Sequence, residues 1–324
     1  MRMDKSKLFA YCLQGDVTAA YEYLQSVPNK PKKYKQLEIK YENRFFSSKP
    51  VYRFKTKDPW VRQVIKAYYQ YFTAVLTRKN VEEAENQLIA TLQPLVSDYH
   101  DDLDRLEEKL EELLNKQGYY FLGGVTPPFR GPYIWKTQEK RNFKVELPSG
   151  TEDVTVYFMS DFILLSWAHF ATFGERYAGG WARPDGLYYV YDGRKTEIDS
   201  SWFQISYVKH EAQHLSDYSR FPNLASKDLE YRAKLVELIY EQDSMRLLNK
   251  FFYEQKKSPA LPHPYSSYIL MQRLAQMAFN KEKTENLKEW KRVAPEQINR
   301  WARILFDEHT QQLEGVGRDT SGII

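Results

Sequence analysis

The hydrophobic pattern changes period at Gly118, and that change limits the folds open to this chain. Before it, apolar residues recur at helical spacing. In 98–117, Leu103, Leu106, Leu110, Leu113 and Leu114 share one face, the other positions are charged and solvated, and Gly118 supplies a C-terminal stop. Asp58-Pro59 reads as a cap followed by proline at the first helical position, which predicts a helix to Thr77. Residues 81–95 continue in the same style, and 51–54 read as a short strand.

After Gly118 the chain turns rich in Tyr, Phe, Gly and Pro. Residues 143–147 and 154–158 alternate around Pro148-Ser149-Gly150, a hairpin pattern. Ser160-Asp161 predicts the cap of a short apolar helix to about Thr172, and 187–191 a further strand ending at Asp192-Gly193. From Ser200 the pattern is helical again to near Glu314, with breaks around 220–223, 258–264 and Pro295. Helices, then a small sheet, then helices, is an α+β order. It divides the chain into a mainly helical domain, 1–118, and a mixed domain, 119–324.

Composition closes several alternatives. The 324 residues are 42% hydrophobic and 28% charged, enough for a packed core. The 47 basic and 43 acidic side chains nearly cancel, so no electrostatic footprint for nucleic acid exists. The 25 tyrosines read as half-buried packing. Cys12 is alone, which excludes an intramolecular disulfide and a cysteine-rich zinc site. The apolar stretch near the N-terminus is interrupted at Gln14 and Asp16, too soon for a signal-peptide core. No run approaches the roughly 18 apolar residues that span a bilayer. The expectation is a cytoplasmic protein with neither nucleic acid nor membrane as partner.

The segment from Ser206 to Leu215 reads SYVKHEAQHL and contains H-E-x-x-H. Residues four apart on a helix project from one face, with Cβ atoms about 5–6 Å apart. Two imidazoles at that spacing, His210 and His214, can each direct a nitrogen at one Zn²⁺ at about 2.0–2.1 Å. Glu211 is placed to contact a water on the metal without ligating it. Residues 201–219 contain no Gly or Pro, Ser200 and Ser201 can cap the start, and Trp202, Ile205, Val208, Ala212 and Leu215 offer a face to bury. The bland alternative is a surface helix with two solvated histidines.

A catalytic zinc needs a third protein ligand. Glu230 falls in the first turns of a helix that Ser226 can cap, and the linker 217–225 with Pro222 lets that helix fold back. Glu230 is the chosen ligand. Glu237, two turns along the same face, is the reserve. The plain reading of Glu230 is a helix-start acid favoured by the macrodipole. A second electrophile is sought in ALPHPYSSY, where His263 and Tyr265 join Glu211 as catalytic candidates and Tyr268 lies nearby. His169, within SWAHFATF, reads as a satisfied core histidine; His100 and His309 carry no signal.

HEAQH followed sixteen residues later by Glu230 in an E-x-x-A context resembles the gluzincin, or thermolysin-like, zinc metallopeptidases over 201–238. The resemblance implies a zincin-like catalytic domain in 119–324 and a Zn²⁺ cofactor held by His210, His214 and Glu230. It further implies Glu211 as base and a peptide or protein substrate. Such enzymes often carry an acid four residues after the ligand glutamate to support a zinc-bound histidine. This chain has Lys234 there, which leaves Asp217 or Asp228 as substitutes. The resemblance also places a substrate-pairing edge strand in 179–190. The G-x-M-E-N signature of the aminopeptidases is absent, which favours cleavage within a chain, and no third histidine follows His214 at metzincin spacing. The expectation is a zinc-dependent metallohydrolase, a peptidase. The competing readings are a zinc-bearing binding or regulatory protein without turnover, and a helical protein with a chance motif.

Overall fold

The first helices begin where acidic side chains can accept the free backbone N–H groups of a first turn. Asp4, Asp16, Asp58 and Asp102 each cap one in the computed structural model, which describes residues 3–183, 185–191, 195–284 and 286–324. The order opens with α1 (Lys5–Leu13), α2 (Val17–Ser26), α3 (Lys32–Tyr41), α4 (Pro59–Leu76), α5 (Val81–Val96) and α6 (Leu103–Lys116). A π-helical turn, Glu42–Phe46, extends α3. Residues 51–54, read as a strand, form none. The leucine-faced helix starts at Leu103 rather than Asp98, because Asp102 caps it. Its charged face also has one exception. Glu107 is buried, accepting from the Tyr68 hydroxyl (2.8 Å), the Gly124 N–H (2.6 Å) and Arg130 (2.7 Å).

Short strands follow: β1 (Tyr120–Leu122), β2 (Val125–Thr126), β3 (Phe129–Arg130) and β4 (Tyr133–Trp135). Then come the long hairpin β5 (Thr137–Leu147) and β6 (Gly150–Ser160), β7 (Leu164–Leu165) and α7 (Ser166–Ala171). The expected apolar helix is thus shortened, its first residues taken by β7, which pairs with β4.

The chain forms two compact units, 1–138 with 159–179, and 139–158 with 180–324. The division differs from a single cut after residue 118. Phe121, Ile134, Ile163, Leu164, Trp167 and Phe170 are buried in the same core as the helices before them, so burial assigns these strands and α7 to the first unit.

The second unit holds most of a four-stranded sheet ordered β5-β6-β9-β8, with β8 (Gly180–Arg183) at its edge and antiparallel to β9 (Gly186–Val190). Pro184 and Asp192-Gly193, parts of the expected strand region, lie outside the described residues. Helices α8 (Lys195–Ile198), α9 (Ser201–Phe203), α10 (His210–Arg220), α11 (Ser226–Tyr240), α12 (Ser244–Glu254), α13 (Pro262–Phe279) and α14 (Pro295–Val316) complete it. Its core includes Val156, Phe158, Leu187 and Tyr189 from the sheet and Leu235, Leu248, Leu274 and Phe306 from the helices. No helix is long and apolar enough to cross a membrane among the described residues. The protein is a mixed α+β structure.

Candidate metal centre

The motif helix forms where the sequence places it, capped by the Ser200 hydroxyl on the Phe203 N–H (3.1 Å). Between α9 and α10 the backbone is π-helical over Gln204–Lys209. A π turn adds a residue to the local period and rotates the succeeding residues about the helix axis. Phe203, Tyr207, Val208 and Ala212 are the apolar side chains buried here; Trp202, expected inside, is exposed, and Ile205 and Leu215 are half-buried. Tyr207 donates to the Tyr188 carbonyl of β9 at 2.7 Å. Edge strand β8 lies against α10.

Helix α11 packs against α10, α13 and α14 and is buried on nearly every side. From Asp228 to Leu238 it buries five charged residues, an arrangement tolerated only when each charge is paired or ligates a cation. Asp228 meets His309 Nε2 at 3.3 Å and accepts from the Ile323 and Ile324 N–H groups. Arg232 Nε lies 2.8 and 2.9 Å from the two Asp217 oxygens. Lys234 is bound by Glu254, by the Ser267 hydroxyl (2.6 Å) and by the His263 carbonyl (3.0 Å). Oε1 of Glu237 is 2.8 Å from His210 Nδ1.

Glu230 is the fifth. Its Oε2 is 3.5 Å from His210 Nε2, its Oε1 is 3.5 Å from His214 Nε2, and His263 Nδ1 is 2.7 Å from Oε2. Among the described residues its ion-pair contacts are all with imidazoles. His210, His214 and Glu230 are each buried, and one ligand atom from each lies within 4.8 Å of the others. The two rings are perpendicular, with centroids 4.8 Å apart. The solvated-histidine alternative requires exposure and does not describe these side chains.

The fit to a cation rests on these separations. Ligand atoms about 2.0–2.1 Å from a tetrahedral ion stand about 3.3 Å from one another. The 3.5 Å gaps between Glu230 and the imidazole nitrogens are close to that and poor as hydrogen bonds. Glu237 directs the other nitrogen of His210, fixing Nε2 toward the cluster, as carboxylates do behind metal-bound imidazoles. The group can therefore hold a metal ion.

The electrostatics agree. Burial opposes charging His210, but Glu230 and Glu237 outweigh it and raise its pKa to about 10. Burial penalises the charged form of both carboxyls; the facing imidazoles nevertheless hold Glu230 and Glu237 below the usual carboxylate range.

No known protein family, curated protein or solved structure matches this chain.

Of the sequence-chosen side chains, the structure brings His210, His214, Glu230 and His263 together. Glu211 follows His210 on α10 and is half-buried. Its charge and that of Glu230 both reach Tyr218, which is half exposed. Tyr265 stacks instead with Tyr268, under the Lys227 ammonium at 5.9 Å. Asp217 and Asp228 contact neither His210 nor His214; they are committed to Arg232 and His309. His309, given no signal in the sequence, is buried, and burial pushes its pKa down. Glu237, the reserve ligand of the sequence reading, is instead the partner of His210. Tyr218, four residues after His214, shares a face of α10 with it, a spacing visible in the sequence.

Proposed function

We propose that the second unit is a zinc-dependent hydrolase of zincin type that cleaves peptide bonds. The observation carrying this reading is the placement of each Glu230 oxygen 3.5 Å from a different imidazole nitrogen of the H-E-x-x-H helix. His210, His214 and Glu230 would hold the ion and leave one position open. Zinc bound there supplies Lewis acidity, lowering the pKa of water and polarising the scissile carbonyl.

The protein's own groups do the rest. Glu211, half-buried beside the cluster, takes the proton of the attacking water and passes it to the leaving nitrogen. Tyr218 and His263 are the donors available for the oxygen on which charge develops. Edge strand β8, beside α10, leaves backbone N–H and C=O groups for an extended peptide, which is why a peptide is favoured over a compact small amide.

Metal analysis and a peptide-cleavage screen with and without chelator test the reading. Zinc at one ion per chain is expected, with cleavage abolished by chelator. Glu211→Gln should keep the zinc and lose turnover; undiminished cleavage would refute its role. Glu230→Ala should lose the zinc, and stoichiometric zinc in that variant would refute the ligand set. Bound zinc with no cleavage of any peptide would favour a zinc-bearing binding protein.

A further inference from the structure

The first unit contains a cavity of about 440 Å³, within the size range of small-ligand sites. Its basic side is formed by Lys40, Arg44, Arg53, Lys55 and His169. Its apolar side includes Tyr69, Phe162, Leu164 and Phe170.

Elsewhere in this unit the half-buried Arg130 is paired with the buried Glu107 at 2.7 Å. Arg44 is not. Its Nη1 donates to the Phe170 carbonyl at 2.7 Å, and its guanidinium carbon lies 4.0 Å from the centre of the Phe173 ring. Its Nε is buried without a hydrogen-bond partner. Among the described residues no carboxylate pairs with Lys40, Arg44, Arg53 or Lys55. Burial, with the Arg53 charge adding to it, lowers the Arg44 pKa to about 10 despite three nearby tyrosines. Four cations thus line one cavity, and among the described residues no carboxylate offsets the half-buried Arg44.

We propose that this cavity binds a small organic anion, its carboxylate or phosphate held by Arg44, Arg53 and Lys55 and its apolar body lying against Tyr69 and Phe162. The guanidinium offers a planar fork of donors suited to either group. This site is independent of the metal centre, whose residues all belong to the other unit.

The full-length protein is titrated by calorimetry with phenyl phosphate, benzoate, inorganic phosphate and neutral benzyl alcohol. Chelator is present throughout, so the metal centre cannot supply the binding. Arg44 also ties to the Phe170 carbonyl, so the test rests on the exposed pair, substituted together as Arg53→Gln and Lys55→Gln. Saturable binding of phenyl phosphate or benzoate at one site is expected, with the tighter of the two identifying the anionic group. The double variant should bind about tenfold more weakly, the scale of losing charge-assisted contacts. Absence of saturation at millimolar concentration, or unchanged affinity in the double variant, would overturn the proposal. Equal binding of benzyl alcohol would overturn the anionic head. Inorganic phosphate binding as tightly as phenyl phosphate would overturn the apolar body.

Discussion

Nδ1 of His210 and Oε1 of Glu237 stand 2.8 Å apart, both buried, although 27 residues separate them in the chain. Lys234 occupies the position at which the resemblance leads one to expect an acid, and the carboxylate that meets His210 is instead Glu237, about one turn further along α11. Lys234 turns to Glu254, Ser267 and the His263 carbonyl, tying α11 to α12 and the start of α13.

Glu237→Ala should lower zinc affinity by about 10–100-fold, the usual cost of losing a carboxylate behind a ligating imidazole. Glu237→Gln, which keeps an acceptor, should lose less. Competition with a chromophoric chelator measures both. Unaltered affinity in the alanine variant would remove Glu237 from the metal centre.

Asp217 and Arg232 are both fully buried and hold α10 to α11, and with them His214 to Glu230. Asp217→Ala leaves an unpaired buried guanidinium and should cost about 3–5 kcal/mol in denaturant unfolding. Replacing the pair by Asp217→Leu with Arg232→Met should recover most of that loss. If the single variant unfolds like the wild type, the pair does not hold the helices.

Gly180 of β8 lies against Tyr207, in the π-helical segment leading into α10. A Cβ there would meet the Tyr207 ring at 2.5 Å and the Tyr188 carbonyl at 2.6 Å. The carbonyl is backbone and cannot swing away. Gly180→Ala should destabilise by about 1–3 kcal/mol, an overpacking cost, and lower kcat/KM by shifting the edge strand. Wild-type thermal stability with wild-type cleavage would contradict this.

His169 gives the first unit an acid sensitivity. Burial, then the Lys55 and Arg44 charges, lower its pKa from about 6.5 to about 4. The unfolded chain therefore binds its proton first. Stability present above about pH 6.5 is lost progressively as pH falls toward 4. Glu230 and Glu237, also lowered, add losses of their own in acid, so the comparison must be between His169→Gln and wild type. Thermal unfolding from pH 7 to 4 should show a shallower decline in the variant. Parallel declines would remove His169 from the acid response.

Local patterns made part of this protein legible. Asp58-Pro59 began α4 as expected, the hairpin formed around Pro148-Ser149-Gly150, and the residues around H-E-x-x-H became a helix. Each depends on interactions within a few residues. The strands β1, β4 and β7 were less legible, being two or three residues long and formed by pairing across distance. His263 falls within the helix break expected around 258–264, yet Pro262 opens α13, as proline does at a first helical turn.

The spacing of His210 and His214 was settled by the sequence alone, because four residues make about one helical turn wherever that helix lies. The same regularity left Glu230 and Glu237 interchangeable, seven residues apart on one face of α11. Only the packing of α11 across α10 separated them, bringing Glu230 to the outer nitrogens of both rings and Glu237 to the inner nitrogen of one. The burial of Tyr207 and the exposure of Trp202 were likewise decided by tertiary packing, which local periodicity does not encode.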